Sequence, residues 1–237
     1  MSKHEDQLPS QSGRSEVDAF LRRVAATPPG KPAGRRGRLM FAMDATASRQ
    51  PSWDRACRIQ GEMFRETATL GGLETQLCWY RGFGEFHADP WTADSGQLLQ
   101  HMTAVFCLGG TTQIARVLQH AIAESKVAKV DALVLVGDCM EEDLDTLCGL
   151  AGELGLLGVP AFLFQEGHDP IAERAFARIA RLTGGAHCRF DAGSAQQLKD
   201  LLSAVAVYAA GGRRALEDFG RRRGGAVPLL TRQLQKG

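Results

Sequence analysis

Two short apolar runs in this chain each end on an aspartate. Leu39-Met40-Phe41-Ala42-Met43 leads into Asp44, and Leu133-Val134-Leu135-Val136-Gly137 leads into Asp138. Runs of this length, bounded by turn residues, read as buried parallel strands. In an open parallel sheet, ligands bind outside the carboxyl ends of the strands. Asp44 is followed at once by two hydroxyls, in Asp44-Ala45-Thr46-Ala47-Ser48. The sequence therefore predicts two carboxylates and two hydroxyls along one sheet edge, where a hard cation can be held.

The rest of the chain fits an alternating α/β pattern. From residue 38 onward, strand-like and helix-like segments follow one another. The first strand gives way to a helix over 52–70, with Pro51 near its first turn. Residues 75–81, Gly82-Phe83-Gly84 and residues 85–89 read as a hairpin, which adds one antiparallel edge strand to a mostly parallel sheet. Asp94 or Ser95 caps a short helix to Met102. Gly109-Gly110-Thr111-Thr112 is a tight loop opening a helix to about Lys126. After the strand ending at Asp138 comes a helix headed by Glu141, Glu142, Asp143 and Asp145, running to about Leu154. Val159–Phe164 is a further strand, Asp169-Pro170 opens a helix to Leu182, and His187–Phe190 is a last short strand. Ser194 and Gln197 form a capping box for a final helix through Tyr208. The predicted architecture is a doubly wound, Rossmann-like α/β fold with a six-stranded sheet and helices on both faces.

Flanking segments complete the division of the chain. Residues 1–37 hold a polar start, an amphipathic helix from Ser15 with Val17, Phe20, Leu21 and Val24 on one face, and a Pro/Gly linker at 27–32. Residues 38–208 form the domain. Residues 209–237 are a basic tail with Arg213, Arg214 and Arg221-Arg222-Arg223.

Composition excludes several classes of function. Formal net charge is +1 over 237 residues, so no global field draws the chain to nucleic acid or an anionic membrane. No stretch approaches the roughly 20 apolar residues of a membrane span, and the polar N-terminus has no apolar core of a secretory signal. Six cysteines, at 57, 78, 107, 139, 148 and 188, form no Cys-x-x-Cys pair and read as small buried hydrophobes in a reducing cytoplasm. The six histidines have no ligand spacing. Gly109-Gly110-Thr111-Thr112 lacks the lysine of a phosphate-binding loop. Trp79, Tyr80, Phe83, Phe86 and Trp91 read as hairpin packing.

The Asp44-x-Thr46-x-Ser48 run, the threonines of the Gly109–Thr112 loop and Asp138 at a strand end resemble, in order and spacing, the von Willebrand factor A (VWA) domain with its metal-ion-dependent adhesion site (MIDAS). Leu182-Thr183-Gly184-Gly185 is similar to that family's late Thr-Gly-Gly element. The resemblance covers residues 38 to about 208. It implies metal ligation by Thr46 and Ser48 directly and by Asp44 and Asp138 directly or through water. It adds a hydroxyl from the Gly-rich loop, with Thr112 the better placed and Thr111 the alternative. It implies Mg²⁺, with Mn²⁺ or Ca²⁺ as substitutes, and a partner protein whose carboxylate completes the shell. In bacterial cytoplasmic relatives such partners include chaperones and ATPases. Threonine at 46 and Gly137-Asp138-Cys139 in place of Thr-Asp-Gly depart from the usual family pattern.

Two other readings stay open on the residues. Asp44 after a strand, with Gly137-Asp138-Cys139-Met140-Glu141-Glu142 as an acidic metal motif, loosely resembles haloacid-dehalogenase phosphohydrolases with Asp44 as nucleophile. In that family the general acid lies two positions on, where this chain has Thr46, and Lys126 and Lys129 are poorly placed for charge stabilisation. The other reading is a metal-free VWA scaffold.

Overall fold

The structure, a computed structural model, describes residues 19, 20, 22–24, 36–67, 70, 72–190 and 195–222. Six strands form one sheet: β1 (Gly37–Asp44), β2 (Leu73–Arg81), β3 (Glu85–Ala88), β4 (Ala132–Gly137), β5 (Ala161–Glu166) and β6 (Ala186–Phe190). Their spatial order is β3-β2-β1-β4-β5-β6. Every pairing is parallel except β2 with β3, which is antiparallel. The Gly82-Phe83-Gly84 turn makes that hairpin, as the sequence predicts.

Burial follows position in the sheet. The central strand β4 is buried at every residue, and β1 at all but Arg38. Strands covered on both faces need apolar side chains at both parities, which is why these segments read as continuous apolar runs. The edge strand β3 instead alternates between half-buried and exposed residues. Leu39, Phe41 and Met43 face one hydrophobic cluster, and Met40 and Ala42 the other.

Helices cover both faces. α1 (Gln50–Thr67), α2 (Ser95–Ala104) and α6 (Ala195–Arg222) contribute to the first cluster. α3 (Ile114–Val127), α4 (Leu144–Leu156) and α5 (Pro170–Thr183) contribute to the second. Asp94 caps α2 through the amides of Gly96 and Gln97, and Asp169 caps α5 through Ala172. Gly185 follows α5 where a Cβ would lie 2.0 Å from the Ala161 carbonyl oxygen. Only glycine lets the chain pass that close to β5, which accounts for the Thr-Gly-Gly element in physical terms.

Two flanking predictions meet the structure here. Phe20 and Val24 are helical and fully buried, and the Phe20 ring meets Phe162 and Phe164 edge-on. The helix start at Ser15, Val17, Leu21 and the linker lie outside the described residues, as does the capping serine at 194. The final helix does not stop at Tyr208: it continues to Arg222 across a kink at Gly212 (φ 68°). Leu216 and Phe219 are buried beyond the kink, so residues 213–222 are anchored by apolar side chains that the arginines mask in the sequence. No helix among the described residues is long and apolar enough to cross a membrane. All six cysteines are free.

Candidate functional site

The direction of chain progression reverses between β1 and β4. From β1 the chain moves outward to β2 and β3, then returns to build β4, β5 and β6 on the other side. Such a switch point leaves a crevice at the carboxyl edge, because the connections leave in opposite directions. Met43 pairs with Val136. The last residue of β1, Asp44, and Asp138 just after β4 therefore emerge side by side.

Local bonds fix the loop after β1. The Thr46 amide donates to Asp44 Oδ1 (2.7 Å). The Ser48 hydroxyl donates to Asp138 Oδ2 (2.7 Å), and the Thr46 and Ser48 hydroxyls are 3.5 Å apart. Ala45 is held on both sides: its amide donates to the Tyr80 carbonyl (2.9 Å), and its carbonyl accepts from Leu108 (3.0 Å). Four of the five predicted residues are thus joined in one network: Asp44, Thr46, Ser48 and Asp138.

Each carboxylate keeps one buried oxygen, Asp44 Oδ2 and Asp138 Oδ1, with no hydrogen-bond partner among the described residues. The Cys139 sulfur lies with them, and one ligand atom from each of Asp44, Asp138 and Cys139 falls within 4.8 Å of the others. Burial pushes the Asp44 carboxyl up to about 6; the Thr46 hydrogen bonds and Arg49 pull it down, and the Asp138 charge adds to the rise. Burial, with the charges of Asp138 and Asp44, likewise pushes the Cys139 thiol up to about 12. Tyr80, opposite Asp44 on β2, places a fully buried hydroxyl nearby, also without a partner. Its ionisation is strongly suppressed by burial and by Asp44 and Glu142. Buried polar atoms are nearly always satisfied. Several orphaned oxygens converging on one crevice fit a bound cation with its waters.

Thr112 is buried and Thr111 exposed, so Thr112 is the loop hydroxyl that faces inward. In this structure it accepts from the Glu141 amide (3.1 Å), while its own amide donates to the Glu141 carboxylate (3.1 Å). Thr112 is thereby tied to the loop that carries Asp138, and its bonds run to Glu141.

The acidic run 141–145 divides its work in a way the sequence does not reveal. Asp143 caps α4 through the Thr146 amide. Glu142 reaches across to cap α3, accepting from the Ile114 and Ala115 amides. A carboxylate at a helix N-terminus satisfies orphan amides and opposes the helix dipole. Glu142→Ala is expected to cost about 1 kcal/mol of stability, read as a lower urea midpoint at unchanged slope.

Arg49 is 1% exposed and pairs with Glu166 at the end of β5. Ser52 and Arg55 converge on the same carboxylate. Glu166 is the third acidic residue at the carboxyl edge of a parallel strand, and the rule that singled out Asp44 and Asp138 could have found it. Two of the histidines meet glutamines: His120 meets Gln76, and His187 meets Gln165, where burial holds its pKa down to about 4. Trp79 is buried and stacks on His87, whereas Phe83 stands exposed.

Comparison with solved structures decides what this frame is. The chain superposes on the SpRpn10 VWA domain with a TM-score of 0.56 at 15% identity, covering 71% of this chain and 94% of that one. The fold is that of a von Willebrand factor A domain. A VWA protein from Catenulispora acidiphila gives a TM-score of 0.63 at 14% identity over 74% of this chain and 43% of its own. The PilB minor pilin from Streptococcus sanguinis gives 0.53 at 9% identity over 74% and 62%. This chain therefore spans less than half of the Catenulispora protein. No family model matches the sequence, and no curated protein matches it.

Proposed function

We propose that this VWA domain binds another protein through a divalent cation, Mg²⁺ in the first instance with Mn²⁺ or Ca²⁺ as substitutes. Asp44, Thr46, Ser48, Thr112 and Asp138 would hold the ion, and a carboxylate from the partner would complete its shell. The observation that carries the reading is the pair of carboxylates at the switch point, each with a buried, unpartnered oxygen. The Asp44 charge, buried beside a second carboxylate, is costly unless a cation offsets it. Mg²⁺ suits the oxygen donors taken alone, since it takes one or two carboxylates and keeps several waters. When bound, the ion supplies a concentrated positive charge that an acidic side chain can reach.

The surroundings suit docking. Phe83, Phe106 and Leu108 are exposed on segments tied to the site by the Leu108–Ala45 and Thr111–Gly82 backbone bonds. Apolar residues beside an open ligand position are what a protein partner covers. The VWA resemblance favours a chaperone or ATPase as that partner, in the cytoplasm. The near-neutral charge gives no support to nucleic acid or membrane.

Among the described residues, nothing at the edge favours phosphohydrolase chemistry. Lys126 lies in the last turn of α3, away from the loop that opens the helix, and pairs with Glu153 (2.9 Å). The nearest buried cation, Arg49, is committed to Glu166.

Isothermal titration with Mg²⁺ and Mn²⁺ is the direct test. The intact chain is expected to bind one ion, and Asp44→Ala to lose at least about tenfold in affinity, since even outer partners of a metal ligand are worth that much. No binding of any divalent ion by the intact chain would remove the cation, leaving a metal-free scaffold.

A further inference from the structure

We propose that Cys139 turns this centre into a mixed oxygen–sulfur site that takes Zn²⁺, or a comparably thiophilic divalent ion, in preference to Mg²⁺. The proposal rests on the reading that Asp44 and Asp138 hold a cation, and it changes which cation they hold. Three observations lead to it. Ligand atoms of Asp44, Asp138 and Cys139 lie within 4.8 Å of one another. Asp44 is fully buried, and its Oδ2 has no partner among the described residues. The other acidic groups of the same loop are already engaged: Glu141 with the Thr112 amide, Glu142 with the head of α3.

The donor set decides the metal. Mg²⁺ is hard and gains nothing from sulfur, whereas Zn²⁺ is borderline and binds both thiolate and carboxylate. Zinc–oxygen and zinc–sulfur bonds of about 2.0–2.3 Å put tetrahedral donors about 3.5 Å apart. The three donors need approach only by about an ångström to reach that spacing. Three protein ligands leave a fourth position open, the arrangement in which zinc accepts water or an incoming ligand. On binding, a Zn–S bond forms, the aqua ion sheds water, and the thiol proton leaves to solvent. No oxidant or reductant is involved. A partner's carboxylate can take the open position, so the docking role stands with a different ion.

Co²⁺ serves as the spectroscopic probe for the full chain, followed by displacement with Zn²⁺. Thiolate ligation is expected to give an intense sulfur-to-cobalt charge-transfer band with the intact protein. The band should be absent in Cys139→Ser and Asp44→Ala, and Zn²⁺ affinity should fall at least about tenfold in Cys139→Ser. A second measurement needs no variant: Zn²⁺, but not Mg²⁺, should protect Cys139 of the intact protein from alkylation, read by peptide mass spectrometry. If the intact protein binds Mg²⁺ and Co²⁺ without the band, and Cys139 stays open to alkylation in Zn²⁺, the thiol ligand is wrong and the oxygen-only centre survives. A band that persists in Cys139→Ser assigns the sulfur to another cysteine and also overturns the proposal. If no divalent ion binds at all, the cation reading itself falls.

Discussion

Glu166→Ala is expected to destabilise the domain by about 3–5 kcal/mol, the usual cost of leaving a buried charge without its partner. Glu166 closes β5 and receives Arg49, the Ser52 hydroxyl and Arg55 (3.3 Å). Arg49 is the critical member, since it is 1% exposed and its Nε and Nη2 already lack partners among the described residues. Without Glu166 its guanidinium has no counter-charge in contact and little access to water. Urea unfolding at neutral pH reads the loss directly. The double variant Arg49→Met with Glu166→Leu should recover most of it, because apolar residues of similar volume often replace a buried pair at no cost. A loss under about 1 kcal/mol for Glu166→Ala would mean that water reaches the pair.

The same substitution reaches the proposed cation centre. Arg49 ends the short 3₁₀ turn Ala47–Arg49, and the residue before it, Ser48, donates to Asp138. The ion pair therefore fastens the loop after β1 to β5, two strands away in the sheet order. Glu166→Ala should weaken divalent-ion binding as well as stability, although Glu166 is outside the proposed ligand set.

What the sequence disclosed, and what it hid, divides along physical lines. Strands covered on both faces announce themselves, because burial at both parities leaves only apolar residues, as in Leu133–Val136. The hairpin was legible because Gly82-Phe83-Gly84 is too short for a crossover. Asp44, Ser48 and Asp138 could be found from position alone, since parallel strands end at one edge. Pairings made across the fold left no local trace. Arg49 beside Ser48 looks like any solvated arginine until β5 brings Glu166 against it. Glu141 and Glu142 precede α4 and look like its caps, yet they serve the Thr112 loop and α3, because β4 delivers them beside a helix 28 residues earlier. Phe219 was hidden for another reason: its arginine-rich neighbours outweigh it in any average, while one helical face still carries Leu216 and Phe219 inward.

In chelator, the Asp44 carboxylate is expected to make the protein less stable as pH rises from about 4 to 6. Its carboxyl is raised from the ordinary 3.8 to about 6, chiefly by burial. Between those values the native state holds a proton that the unfolded chain has released, so stability falls with rising pH through the window, and the penalty is complete above it. At 1.36 kcal/mol per pH unit the rise corresponds to about 3 kcal/mol. Asp44→Asn removes the charge while keeping an oxygen for the Thr46 amide. At pH 7.5 in chelator this variant should be more stable than the parent by about 1–3 kcal/mol, and the gap should close near pH 4. Saturating divalent ion should reverse the order, because an ion at about one thousand times its dissociation constant stabilises the parent by about 4.1 kcal/mol and the variant far less. Thermal or urea unfolding at four conditions, two pH values with and without ion, reads all of this. A parent no less stable than Asp44→Asn at pH 7.5 in chelator would mean that Asp44 is well solvated, and the electrostatic case for a cation at the switch point would go with it.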